Sequence, residues 1–172
     1  MKNILIGLTT LAFVFTAGAA DVSVKLTGVH LCCQSCVKGV DKAVAKVSGI
    51  TAACSQDDSI VTLTGPDKAT VQKAADALVA AGYFGKSSDP DIKLNAKTGA
   101  KGEKVKSLEV EGVHLCCGKC VKAVGTALGE VPGVTGNTAT KGARSFTVSG
   151  EFNDTEAFNA LQKAGLTGQV GK

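Results

Sequence analysis

The chain has 172 residues, of which 44% are hydrophobic, 20% charged and 4% aromatic, and its formal net charge is +4. This is globular composition with room for one average domain or two small ones, and the charge is too mild to argue for nucleic acid as a partner. No GxGxxG or Walker loop occurs and there are only two histidines, so nucleotide handling and acid–base catalysis have little to stand on.

Residues 1–20 open with Lys2, continue as an apolar run from Ile4 to Phe15 and close on Ala17-Gly18-Ala19-Ala20 before Asp21. The run is shorter than the roughly 20 residues a bilayer span needs and ends on an A-x-A-like site, the pattern of a secretory signal peptide cleaved after Ala19 or Ala20. The mature chain is therefore expected to be exported, periplasmic or extracellular, with no membrane segment after cleavage. Unprotected thiols tend to oxidise in that compartment.

An internal repeat organises the rest. Gly28 to Ile50 (GVHLCCQSCVKGVDKAVAKVSGI) aligns without a gap on Gly112 to Val134 (GVHLCCGKCVKAVGTALGEVPGV), with 13 identities in 23 positions. Weaker matches follow, Leu63-Thr64-Gly65 with Val148-Ser149-Gly150 and Leu78 to Gly82 with Leu161 to Gly165. The mature chain thus reads as two copies of one unit, 21–86 and 105–172, joined by a segment of linker composition at 87–104.

In each copy the elements follow the same order. Val22, Val24 and Leu26 alternate with polar residues, as do Val105 and Leu108 to Val113 less regularly, predicting an opening strand. Val37, Val40, Val44 and Val47, and then Val121, Val124, Leu128 and Val131, fall at the spacing of one helix face. Gly49 and Pro132-Gly133 end those helices. Two β-prone runs follow as a hairpin, Ile50 to Ala53 with Ile60 to Thr64 and Val134 to Thr138 with Phe146 to Ser149. A second helix fits Lys68 to Ala81 and Asp154 to Ala164, the latter with Asn153 and Glu156 as a capping box, and a last strand begins at Tyr83 and at Leu166. The fold class is α+β, two tandem βαββαβ sandwiches of the ferredoxin-like kind. Each is small enough to be marginal unless a metal or its neighbour helps.

Six of the seven cysteines lie between the first strand and first helix of each copy, as His30, Cys32, Cys33, Cys36 and as His114, Cys116, Cys117, Cys120. Free N–H groups and the positive end of a helix dipole stabilise thiolates there. The x-x spacing lets Cys33 and Cys36, or Cys117 and Cys120, converge on one ion. Soft thiolates select Cu(I), Zn(II) and heavier thiophilic ions over Mg or Ca.

Cys33-Gln34-Ser35-Cys36-Val37-Lys38 and Cys117-Gly118-Lys119-Cys120-Val121-Lys122, each followed by an amphipathic helix, resemble the G-M-x-C-x-x-C signature of heavy-metal-associated domains. That family includes copper chaperones, metal-transporting P-type ATPases and the periplasmic mercury-binding protein. The resemblance spans nearly the whole mature chain and implies the same fold, with Cys33, Cys36, Cys117 and Cys120 in the ligand positions. Leu31 and Leu115 stand where the family has Met, and His30 and His114 where it has Gly. Cys32 and Cys116 occupy the variable position before the first ligand, as further ligands, buried thiols or redox partners. The histidines read either as ligands or as hydrogen bonders that fix the loop.

The implied cargo is a soft ion, Cu(I) or Zn(II), with Hg(II) and Cd(II) also compatible. The partners would be a metal transporter or another thiol-bearing carrier, to which ligand exchange passes the ion without acid–base help. The leading reading is therefore an exported, non-enzymatic metal-binding protein. Two others stand beside it: a thiol–disulfide oxidoreductase using the CxxC pairs, and an interaction module bridged by a shared ion. Cys54, which has no counterpart in the second copy, reads as a buried apolar residue of the hairpin. Tyr83 reads as core packing, and Lys38, Lys42, Lys46, Lys119 and Lys122 as a solvated helix face.

Overall fold

The computed structural model describes residues 20–171, so the signal-peptide reading of the first 19 residues lies outside them. No helix among the described residues is long and apolar enough to cross a membrane. The elements of the first unit are β1 Val22–Thr27, α1 Gln34–Val44, β2 Thr51–Ser55, β3 Ile60–Gly65, α2 Lys68–Ala80 and β4 Lys86–Ser87. The second comprises β5 Lys104–Glu111, α3 Gly118–Gly129, β6 Val134–Asn137, β7 Ser145–Asn153, α4 Asp154–Lys163 and β8 Gln169–Val170. Each unit is βαββαβ, with antiparallel sheets ordered β2-β3-β1-β4 and β6-β7-β5-β8.

The period-2 pattern does what it predicts. Val24 and Leu26 lie opposite Leu63 and Val61 on the covered face of the first sheet, and Leu108 and Val110 lie opposite Val148 and Phe146 in the second. Helices α1 and α2 close the first core with Val40, Val44, Val71 and Leu78, while α3 and α4 close the second with Val124, Leu128, Phe158 and Leu161. Each such side chain, once buried, contributes about 1.5–3 kcal/mol. Asp67 caps α2 by accepting from the Thr70 N–H at 2.7 Å, and Asn153 caps α4 by accepting from Thr155 and Glu156.

Two expectations need correction. The buried stripe of α1 runs through Cys36, Val40, Ala43 and Val44, leaving Val37 and Val47 half-buried. In α3 it begins at Cys120, not Val121. Because each helix starts right after its loop cysteine, the last cysteine of each loop turns inward and becomes the first residue of the apolar face. The last strands begin at Lys86 and Gln169 rather than at Tyr83 and Leu166. Tyr83 and Leu166 pair with each other instead, as an isolated antiparallel bridge between the two units.

The segment read as linker is tied down at both ends. Lys68 Nζ lies 2.9 Å from Asp89 and 2.6 Å from Asp91, Gln72 exchanges two hydrogen bonds with the Lys93 backbone, and Ile92 is buried. At the far end the buried carboxylate of Asp154 accepts from the N–H groups of Lys101, Gly102 and Glu103 at 2.8–3.1 Å.

Candidate metal centre

The units meet through their loops and through the first turns of α1 and α3, where Cys36 and Cys120 approach to 3.9 Å. The seam is nearly two-fold. Phe84 N–H donates to the Gly165 carbonyl at 3.1 Å, Thr167 N–H donates to the Gly82 carbonyl at 3.0 Å, and His30 N–H donates to Gly165 at 3.2 Å. Gly82 and Gly165 have φ of +87° and +77°, where an L side chain is strained. A Cβ on Gly82 would also strike the backbone at Gly112 and His114, and one on Gly165 the backbone at Gly28 and His30. These glycines bring the turn after each second helix against the start of the other unit's cysteine loop, just past its first strand.

The result is that both loops face each other. Cys32 Sγ lies 3.4 Å from Cys117 and 3.5 Å from Cys120, and Cys36 lies 3.5 Å from Cys116 and 3.9 Å from Cys120. Cys33 lies 3.7 Å from Cys116 and 3.8 Å from Cys117. Within the loops, Cys36 lies 3.6 Å from Cys32 and 3.8 Å from Cys33, and Cys120 lies 3.7 Å from Cys116 and 3.8 Å from Cys117. All seven cysteines are free thiols, and Cys54 is the one outside the cluster, half-buried on β2. The predicted ligands Cys32, Cys33, Cys36, Cys116, Cys117 and Cys120 therefore form one site, not two.

Cys33 and Cys117 occupy the N-cap positions of α1 and α3 with extended backbone, where most helices place a Ser, Asp or Asn oxygen. Burial pushes the Cys33 thiol up, but the N–H groups of Cys36 and Ser35 and the neighbouring Cys116 and Cys117 outweigh it, bringing it down to about 6. Cys36 is pushed up, first by Cys120 beside it and then by burial. Burial likewise raises Cys32, and it raises Cys116 to about 12. Cys120 is held well below the usual thiol range by Cys36, with help from His30 and Cys32. Six thiols in contact cannot all ionise against one another, so the cluster shares its protons until a cation supplies the missing charge.

The two histidines part company. A ring nitrogen of His30 lies within 4.8 Å of Cys32 and Cys120, and its buried Nε2 has no hydrogen-bond partner. His114 Nε2 is 3.0 Å from the Tyr83 hydroxyl, which donates to the Cys36 carbonyl at 2.8 Å, and the two rings stack with centroids 4.6 Å apart. Burial lowers the His114 imidazole below its usual value. Tyr83 is buried, as packing requires, but it also ties α1 to the second unit's loop, a role that residue type and position did not announce. Lys38, Lys42, Lys46, Lys119 and Lys122 are all exposed.

Thiolate sulfur with one imidazole is the donor set of a soft-metal site. No protein-family model and no curated protein matches the chain. Among solved structures, one described as "Crosstalk between Cu(I) and Zn(II) homeostasis" is 24% identical, covering 39% of this chain and 100% of that one, with a TM-score of 0.34. The N-terminal soluble domains of Bacillus subtilis CopA are 12% identical, covering 89% and 95%, with a TM-score of 0.34. The first two RRM domains of yeast poly(U) binding protein (Pub1) are 11% identical, covering 87% and 98%, with a TM-score of 0.25.

Proposed function

We propose that this protein is an exported, non-enzymatic carrier of soft metal ions, with Cu(I) favoured, that sequesters its cargo or delivers it to a thiol-bearing acceptor such as a transporter. The observation that carries the reading is the convergence of six thiols from two repeats on one site. The ion is cargo, not a resident cofactor. Release follows from the donor set: an incoming cysteine replaces one protein thiolate at a time, and the displaced sulfur takes up a proton from solvent. Cys32, Cys33, Cys116 and Cys117 are half-buried and within reach of an acceptor, whereas Cys36 and Cys120 are buried at the helix starts. The geometry favours Cu(I) over Zn(II) because the sulfurs form triangles that seat a trigonal ion with no further donor, whereas a tetrahedral Zn(II) needs the His30 imidazole as its fourth ligand.

The test is an anaerobic titration of reduced protein with Cu(I) and with Zn(II) against competing chelators, beside the Cys33→Ser/Cys117→Ser variant. The expected result is retention of Cu(I) against the chelator, lost in the variant. Failure to compete for either ion, together with a disulfide potential in the range of exported oxidoreductases, overturns the reading.

A further inference from the structure

Ten Sγ–Sγ separations of 3.4–3.9 Å connect the six cluster cysteines. Cys32–Cys33 and Cys116–Cys117 each lie within 4.8 Å. These twelve separations are the edges of one solid. Every sulfur has four neighbours and one opposite, the opposites being Cys32 and Cys116, Cys33 and Cys120, and Cys36 and Cys117. That solid is an octahedron of sulfur, closed only when both loops are present.

An octahedron limits what it can hold. Any four of its vertices include an opposite pair, so it offers no tetrahedron of adjacent thiolates. A single ion at its centre would lie about 2.6 Å from every sulfur, longer than a thiolate bond of about 2.3 Å. Its triangular faces fit better, since a trigonal ion with bonds of about 2.3 Å needs sulfurs about 4.0 Å apart. The observed edges reach that with an expansion of a few tenths of an ångström. Four alternate faces of an octahedron share corners but no edges. Four ions on them each take three thiolates, and each thiolate bridges two ions. Six thiolates and four monovalent ions leave a charge of −2, whereas two ions would leave −4 in a half-buried site.

We infer that the two loops jointly hold one tetranuclear Cu(I)–thiolate cluster, four copper ions on six sulfurs within a single chain, in place of one ion per repeat. The inference rests on the metal-carrier reading and specifies its form. Loading displaces the thiol protons to solvent and leaves every copper as Cu(I), so no electron is transferred. Cys32 and Cys116 are then structural members of the cluster equal to the CxxC cysteines, and His30 stands beside the Cys32–Cys120 edge.

The experiment is native mass spectrometry of the anaerobic, reduced protein during Cu(I) titration, with copper K-edge X-ray absorption on the loaded sample. The expected result is a cooperative step to four copper ions on a monomeric chain, a trigonal sulfur shell and a copper–copper scattering shell. The Cys32→Ser/Cys116→Ser variant should hold no more than two ions and lose the copper–copper shell. A plateau at two ions without copper–copper scattering overturns the cluster while leaving the carrier reading intact, as does a variant that loads like the parent. Failure to retain copper at all against a chelator overturns both.

Discussion

The phenol of Tyr83 stacks on the imidazole of His114 with ring centroids 4.6 Å apart, and its hydroxyl lies 3.0 Å from Nε2. The two residues belong to different repeats. The pair holds α1 of the first unit against the cysteine loop of the second, because the same hydroxyl donates to the Cys36 carbonyl. Tyr83→Phe keeps the ring and removes both hydrogen bonds. It should cost about 1–2 kcal/mol, a fall of about 2–8 °C in the melting temperature of the metal-free protein, followed by circular dichroism. An unchanged midpoint would mean that the hydroxyl is dispensable at the seam.

Gly82→Ala and Gly165→Ala place a Cβ where φ is positive and where the other repeat's backbone already lies. The left-handed conformation alone costs about 1–2 kcal/mol, and the clash adds to it. The expected outcome is loss of docking with both units still folded: helix and sheet signals persist, while copper loading per chain falls by at least half. Normal loading in both variants would show that the loops find each other without this seam.

His30 offers a side-chain nitrogen beside the cluster, with its Nε2 buried and unpartnered among the described residues. A tetrahedral ion could complete three thiolates only with such a fourth ligand, whereas trigonal Cu(I) does not need it. His30→Ala should therefore weaken Zn(II) binding by at least tenfold and change Cu(I) affinity by less than threefold, measured by chelator competition. Equal losses for both ions would show that the imidazole acts on the loop rather than on the metal.

Asp154 anchors the segment between the repeats. Burial alone would raise its carboxyl, but the N–H groups of Lys101, Gly102, Thr155 and Glu103 outweigh burial and hold it below its ordinary value of 3.8. Its contribution is then complete above pH 3.8 and fades as the pH falls below that toward the folded-state value. Asp154→Asn should cost about 1–3 kcal/mol at pH 7 by urea unfolding, and the gap between parent and variant should narrow at pH 3. A gap of equal size at both values would remove the carboxylate charge from the account.

Both repeats, their βαββαβ order and the thiolate character of the loops follow from the sequence, because they depend on local physics. Alternating Val24 and Leu26 specify a strand face, Asn153 caps α4, and Cys33 stands at a helix start whose N–H groups favour its thiolate. The choice of Cys36 over Val37 on the buried stripe was one residue away from legible, since it depends on the residue at which the helix begins. The sequence leaves open whether the loops act apart or together. Tertiary structure decides it through contacts between residues of different repeats: Tyr83 meets Leu166, Gly82 and Gly165 admit the opposite backbone, and Cys32 reaches Cys117. A local pattern cannot report such contacts, because the two helix-ending glycines read the same whether the turns they make face solvent or the other repeat.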